Sequence, residues 1–140
     1  SKNIDQVAKL LFDNPAYSIA TLATNFLSKD EEEDENAVKV FFDKETDEAI
    51  TFKRQLKTYG NTSVNYMRHI GIYAYTRSSL RTFSDSEPSI EEEKEKLEQL
   101  RAYDLQLRII VGKASITPGP DVDTYEDLLL VNSIYKNPKS

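Results

Sequence analysis

Residues 68 to 75 read Arg68-His69-Ile70-Gly71-Ile72-Tyr73-Ala74-Tyr75, and the order of residue types predicts a β-strand. Alternation with period two places Ile70, Ile72 and Ala74 on one face, and His69, Gly71, Tyr73 and Tyr75 on the other. The first face is apolar and belongs against a core. The second carries two ring side chains on either side of a glycine, and glycine inside a strand marks close approach of a ligand or of another backbone. That face has two readings: a hollow with His and Tyr donors suited to a polyhydroxylated acid, or an edge on which the aromatics pack together.

Outward from this strand, helices and strands alternate. Ile4, Val7, Ala8, Leu10 and Leu11 fall at helical spacing over residues 3 to 13, with Asn14-Pro15 as a stop. Residues 17 to 23 alternate as a strand. The run from Ser28 to Asn36 (SKDEEEDEN) contains no apolar residue and reads as a solvated loop or frayed helix. Residues 38 to 43 and 49 to 54 form an antiparallel hairpin around the polar turn at 44 to 48, with Ile50, Phe52 and Arg54 on one face. A loop with Gly60 and Asn61 precedes the strand from His69 to Tyr75. A long helix is expected over residues 90 to 104 with a stripe of Ile90, Leu97, Leu100 and Tyr103, then a strand over 107 to 111 and a closing helix over 124 to 135 carrying Leu128, Leu129, Val131 and Ile134. No repeat or linker divides the chain, so the expectation is one α/β domain spanning residues 1 to 140, a mixed, mostly β sheet with flanking helices.

The chain has 140 residues, 39% hydrophobic, with eight Tyr and six Phe. A chain of roughly 150 residues buries about two-thirds of its unfolded surface, so one core is attainable. A mean hydropathy of -0.58 and 30% charged residues describe a polar exterior. No apolar run approaches the roughly 20 residues of a membrane span, and no basic-then-apolar leader is seen, so neither membrane insertion nor export is expected. With no Cys there is no disulfide framework, which is compatible with a reducing compartment; the expected location is cytoplasmic. The formal charge of -6 and the lack of a basic stripe argue against nucleic acid as a partner.

Several residues have side chains suited to ligand chemistry. Glu98 and Gln99 point away from the Leu97–Leu100 stripe, and a carboxylate beside an amide reads several hydroxyls at once; the alternative is a solvated helix face with Lys94 and Glu98 paired. Arg54 ends an apolar strand face and offers a planar fork to a carboxylate, or is a surface Arg. Asp121 and Asp123 flank Val122, so with extended backbone there both carboxylates face the same way and can share one hard divalent cation with phosphate oxygens; Asp123 with Glu126 also has the form of a helix N-cap and its reciprocating partner. The four Gly form neither GxGxxG nor GxxxxGK[ST], so no phosphate cradle is present in the sequence. The single His accompanies no recognisable Ser or Cys nucleophile signature, and no catalytic triad is expected.

Taken in order, RHIGIYAY at 68 to 75, EKLEQLR at 95 to 101 and PGPDVDTYEDL at 118 to 128 resemble the blocks KHIGIYAYR, ESLEQLR and PGVDTPEDL of the CMP-Kdo synthetases (3-deoxy-manno-octulosonate cytidylyltransferases). The resemblance extends to ATLA at 20 to 23 and NAVKVFFD at 36 to 43. It implies the second half of a nucleotide-sugar-transferase, Rossmann-like fold, with the cytidine-binding glycine-rich loop and a metal-binding segment upstream of residue 1. It implies that Kdo, activated by CTP to CMP-Kdo with release of pyrophosphate for lipopolysaccharide biosynthesis, is the substrate, that Mg²⁺ is the cofactor, and that the assembly is a homodimer. His69, Tyr73, Glu98 and Gln99 match family positions that contact the sugar acid, Asp123 matches the metal ligand with Asp121 in place of Gly beside it, and Arg54 matches the Arg of a YFSRxxIP block. At that block this chain departs, with Lys53 where Ser stands and no Ile-Pro after it. No residue here matches a general base, and this chain alone is expected to be inactive. Two other readings remain: a non-catalytic sugar-acid-binding or assembly fragment, and a sister cytidylyltransferase for another keto-sugar acid such as a sialate.

Overall fold

The computed structural model describes residues 2–56 and 63–115. The closing helix over 124 to 135, the Gly60–Asn61 loop, and Asp121 and Asp123 lie outside the described residues. Helix α1 (Lys2–Asp13) buries Ile4, Val7, Ala8 and Leu11, the apolar spacing expected of it. Five strands follow in one sheet: β1 (Ile19–Thr24), β2 (Lys39–Asp43), β3 (Ala49–Lys53), β4 (Val64–Tyr75) and β5 (Ile109–Lys113). Their spatial order is β3-β2-β4-β1-β5. The β1–β5 pair is parallel and the others antiparallel, so the sheet is mixed, as the sequence predicts. The hairpin of β2 and β3 forms with the expected pairing.

Each face of the sheet buries its own core. Against α1 lie Ile70, Ile72 and Ala74 with Ala20, Leu22 and Ile110. The opposite face gathers Val40, Phe42, Ala49, Phe52, Met67, Tyr75, Ile109 and Val111, and is covered by Phe83, Leu97, Leu100 and Ala102. These come from α3 (Arg77–Ser84), a 3₁₀ turn at Glu98–Leu100 and α5 (Arg101–Asp104). The sequence reading did not include α3, although Thr76 caps it by accepting from the Ser79 N–H at 3.2 Å. The sheet edges approach each other as well: the Val111 N–H donates to Asp47 O at 2.9 Å, and Glu48 bridges to Ile110. No helix among the described residues is long and apolar enough to cross a membrane.

Three expectations are corrected. The helix expected over 90 to 104 is broken: α4 (Ile90–Glu95) stops at Lys96, which is left-handed at φ 57°, and Leu97 is extended before the 3₁₀ turn begins. The break turns Ile90 out, 83% exposed, and removes the four-residue helical spacing that would pair Lys94 with Glu98. In β3, Phe41 faces Thr51 and Phe42 faces Ala49, so Ile50 is an extra, bulged residue. A bulge resets alternation, and Ala49 and Phe52 go inward while Ile50 remains outside. The acidic run is also not merely solvated. Its helix α2 (Lys29–Glu33) is capped by Ser28 and tied to β4, with the Tyr66 hydroxyl donating to Glu32 Oε1 at 2.5 Å and Arg68 Nε 3.5 Å from Glu31 Oε2. Lys39, fully buried, donates to Asp34 O at 2.8 Å and Arg54 O at 2.6 Å; desolvation pushes its ammonium pKa down from the usual value.

Candidate functional site

His69 and Tyr73 sit on the same face of β4, their rings 5.4 Å apart. The backbone between them is not regular strand. Thr21 of β1 faces Tyr73 whereas the next residue, Leu22, faces Ile70, so Gly71 and Ile72 are extra. This double bulge leaves carbonyls of β4 turned toward β1, and the buried Thr21 hydroxyl fills the gap. It donates toward Ile72 O at 2.8 Å, lies 3.3 Å from Ile70 O, and is 2.9 Å from His69 Nε2. Gly71 is one of the two extra residues of this irregular stretch, a common place for a glycine in mid-strand, although its φ is not in the left-handed region.

Phe52 meets the imidazole edge-on with centroids 4.9 Å apart. Removal from water disfavours the charged ring, and burial pushes the His69 pKa down to about 3. At neutral pH His69 is a neutral imidazole, one nitrogen a donor and the other an acceptor.

Phe52 also lies 6.5 Å from Tyr103, and β3 touches the 3₁₀ turn that holds Glu98 and Gln99. In that turn Leu97 and Leu100 are buried, Gln99 is half-buried and Glu98 is exposed, so the polar pair faces outward as expected even though the helix was not formed. Two arginines hold the turn from either side. Arg54 donates from Nε to Glu95 O at 3.1 Å, from Nη2 to Lys96 O at 3.2 Å and from Nη1 to Glu35 O at 3.4 Å. Arg101 forms a fork on Glu92, with Nε to Oε1 at 2.8 Å and Nη2 to Oε2 at 2.7 Å, and donates to Phe83 O at 3.1 Å. Glu92 in turn closes a capping box with Ser89. Hydrogen bonds from Arg101 hold the Glu92 carboxyl below its ordinary value, and Glu92 raises Arg101, to which the Glu98 charge adds.

The structure thus brings His69 and Tyr73 into contact on β4 and sets the Glu98–Gln99 turn against β3, two strands away across β2, with the Phe52 ring reaching from β3 to His69. Arg54 lies directly after β3, at the end of the strand as its sequence reading has it, and takes on a task that reading did not name. Its guanidinium is committed to three backbone carbonyls as a staple, with only one N–H on each of Nη1 and Nη2 left for any other partner. Thr21, Arg101 and Glu92 were not singled out by the sequence. A β-branched residue in a buried strand carries no signal of a polar task, and EKLEQLR shows an Arg without showing which of the five glutamates between 91 and 98 it meets. Asp121 and Asp123 lie outside the described residues. Among the described residues no group of three or more His, Asp or Glu is placed to hold a metal.

A profile described as Cytidylyltransferase matches residues 1–109. The chain belongs to the cytidylyltransferase family. It is similar, at 38% identity over 136 residues and 90% of its length, to the 3-deoxy-manno-octulosonate cytidylyltransferase of Rhodopirellula baltica. It is also similar, at 37% identity over 94% of its length, to the 8-amino-3,8-dideoxy-manno-octulosonate cytidylyltransferase of Shewanella sediminis. In each case the chain spans 54% of the relative, about half of its length. Among solved structures, CMP:2-keto-3-deoxy-manno-octonic acid synthetase complexed with CTP superposes with a TM-score of 0.73 at 31% identity, covering 96% of this chain and 56% of that one. The mixed α/β architecture is the one this cytidylyltransferase structure shares.

Proposed function

We propose that this cytidylyltransferase chain is the C-terminal, sugar-acid-binding half of an enzyme that activates Kdo with CTP, giving CMP-Kdo and pyrophosphate for lipopolysaccharide biosynthesis. The observation that carries the reading is the neutral His69 in tilted contact with Tyr73 on a bulged strand, joined through Phe52 of β3 to the Glu98–Gln99 turn that Arg54 and Arg101 clamp. Such a site offers donors and acceptors at fixed positions, and fixed positions are what an acceptor with several hydroxyls requires. In the reaction, the anomeric hydroxyl oxygen of Kdo forms a bond to the α-phosphorus of CTP, the bond from that phosphorus to the pyrophosphate oxygen breaks, and the hydroxyl proton leaves to water or to a base outside this chain. His69, Tyr73, Glu98 and Gln99 orient the acceptor; Arg54 supports it by holding the turn. Asp123 and Asp121 supply the hard oxygen donors that suit Mg²⁺, which would neutralise phosphate charge. With the reading go a homodimer in the cytoplasm and the absence of nucleic-acid and membrane partners.

The decisive experiment follows pyrophosphate release from CTP by the full-length product of the coding region with Kdo, its 8-amino-8-deoxy analogue and a sialate in parallel, and measures Kdo binding to the 140-residue chain by calorimetry. Expected are turnover with Kdo by the full-length protein and binding without turnover by the chain. Turnover with the amino sugar alone assigns the specificity carried in the name of the Shewanella relative; turnover with a sialate alone, or with none, overturns the reading.

A further inference from the structure

Three acceptor or donor atoms surround the Thr21 hydroxyl: Ile72 O at 2.8 Å, Ile70 O at 3.3 Å and His69 Nε2 at 2.9 Å. A hydroxyl has one proton to give, and a carbonyl can only accept. If that proton went to the imidazole, the Thr21 oxygen would face two carbonyl oxygens in a fully buried position with no hydrogen between them, the costly case of unsatisfied buried groups. The proton therefore belongs to the carbonyls exposed by the Gly71–Ile72 bulge, and His69 Nε2 must be the donor to Thr21. A neutral imidazole has only one N–H, so the lone pair then resides on Nδ1. No hydrogen bond to Nδ1 forms among the described residues.

We infer that Thr21 is a positioning residue that locks His69 as its neutral Nε2–H tautomer, so that Nδ1 meets the ligand as an acceptor for a hydroxyl rather than as a partner for a carboxylate. The role of His69 toward a ligand rests on the proposed function; the tautomer does not. The bulge is the device that makes this work, because regular pairing would satisfy both β4 carbonyls and free the Thr21 proton for the ring. The carboxylate of an acidic sugar is then excluded from His69, whose lone pair would repel it.

The chain has one His, so long-range ¹H–¹⁵N NMR of the ¹⁵N-labelled 140-residue chain at neutral pH shows a single, unambiguous imidazole. Expected is the pattern of a neutral ring protonated at Nε2, retained in Thr21→Ser and lost in Thr21→Val to a mixed or Nδ1–H pattern. An imidazolium or Nδ1–H pattern in the unsubstituted chain overturns the inference, and so does a Thr21→Val spectrum unchanged from it. The first of these needs no variant, so a poorly folding Thr21→Val does not protect the idea. Because the pattern is read without ligand, failure of Kdo to bind would sink the proposed function and leave this result standing; where Kdo binds, its hydroxyl should shift the Nδ1 resonance while the Nε2–H pattern persists.

Discussion

The imidazole of His69 couples the site to stability through protons. Unfolded, it takes up a proton near its ordinary pKa of 6.5; folded, burial delays that uptake to about 3. Between these values the unfolded state binds more protons, so stability rises with pH; the contribution is complete above about 6.5 and is lost as pH falls toward 3. The Glu92 carboxyl, held below its ordinary 4.5 by Arg101, adds its own loss only beneath that value. We expect the urea midpoint to fall from pH 7 to pH 5 in the unsubstituted chain and to change much less in His69→Gln over that window. An equal fall in both would show that His69 is not held neutral. Removing one partner of a buried, hydrogen-bonded pair costs far more than an exposed one. With 12% and 9% of their side chains exposed, Arg101 and Glu92 belong to the first kind. Glu92→Gln should cost about 2–4 kcal/mol in chemical denaturation.

Among the elements, the break at residue 96 decides where Glu98 and Gln99 go. The leucine and glutamate spacing from 90 to 104 suits one continuous helix, yet Lys96 adopts φ 57° and Arg54 takes the carbonyls of Glu95 and Lys96. A non-glycine residue in the left-handed region carries a steric cost that glycine avoids, so Lys96→Gly should raise stability by roughly 0.5–1 kcal/mol in thermal or urea unfolding. A drop of similar size would mean that the helix continues through the break. Sequence spacing did show that Leu97 and Leu100 point inward and the polar pair outward. It could not show the break, because Lys is an ordinary helix residue and the break is held by a staple from Arg54, just after β3 and about forty residues away. The bulge at Ile50 is equally invisible from within β3, as alternation alone gives Ile50 and Phe52 the same face.

At the scale of the whole molecule, the curl of the sheet brings the β2–β3 turn against β5, where Arg108 pairs with Glu48 at 2.8 Å and lies over the Tyr17 ring at 4.5 Å. This pair is solvent-exposed, and exposed pairs contribute little. Arg108→Gln should leave the thermal midpoint nearly unchanged, in contrast to Glu92→Gln; a large loss would mean that the ion pair, and not the Val111–Asp47 and Glu48–Ile110 backbone contacts, closes the curl. By itself the sequence determined the mixed α/β class, α1, the β2–β3 hairpin and the apolar face of β4, because periodicity is a local property that burial on one side imposes on neighbouring residues. It also marked His69, Tyr73, Glu98 and Gln99, since ring and amide types beside a glycine or a leucine pair are visible in order. Only the tertiary structure decided that Thr21 faces His69 across a bulge, that Arg54 is a staple and that Arg101 finds Glu92. The first two depend on registers and distances between segments far apart in the chain, and the third on the break at Lys96 that folds a nearby segment back; residue order does not encode these until the cores on both faces of the sheet have packed.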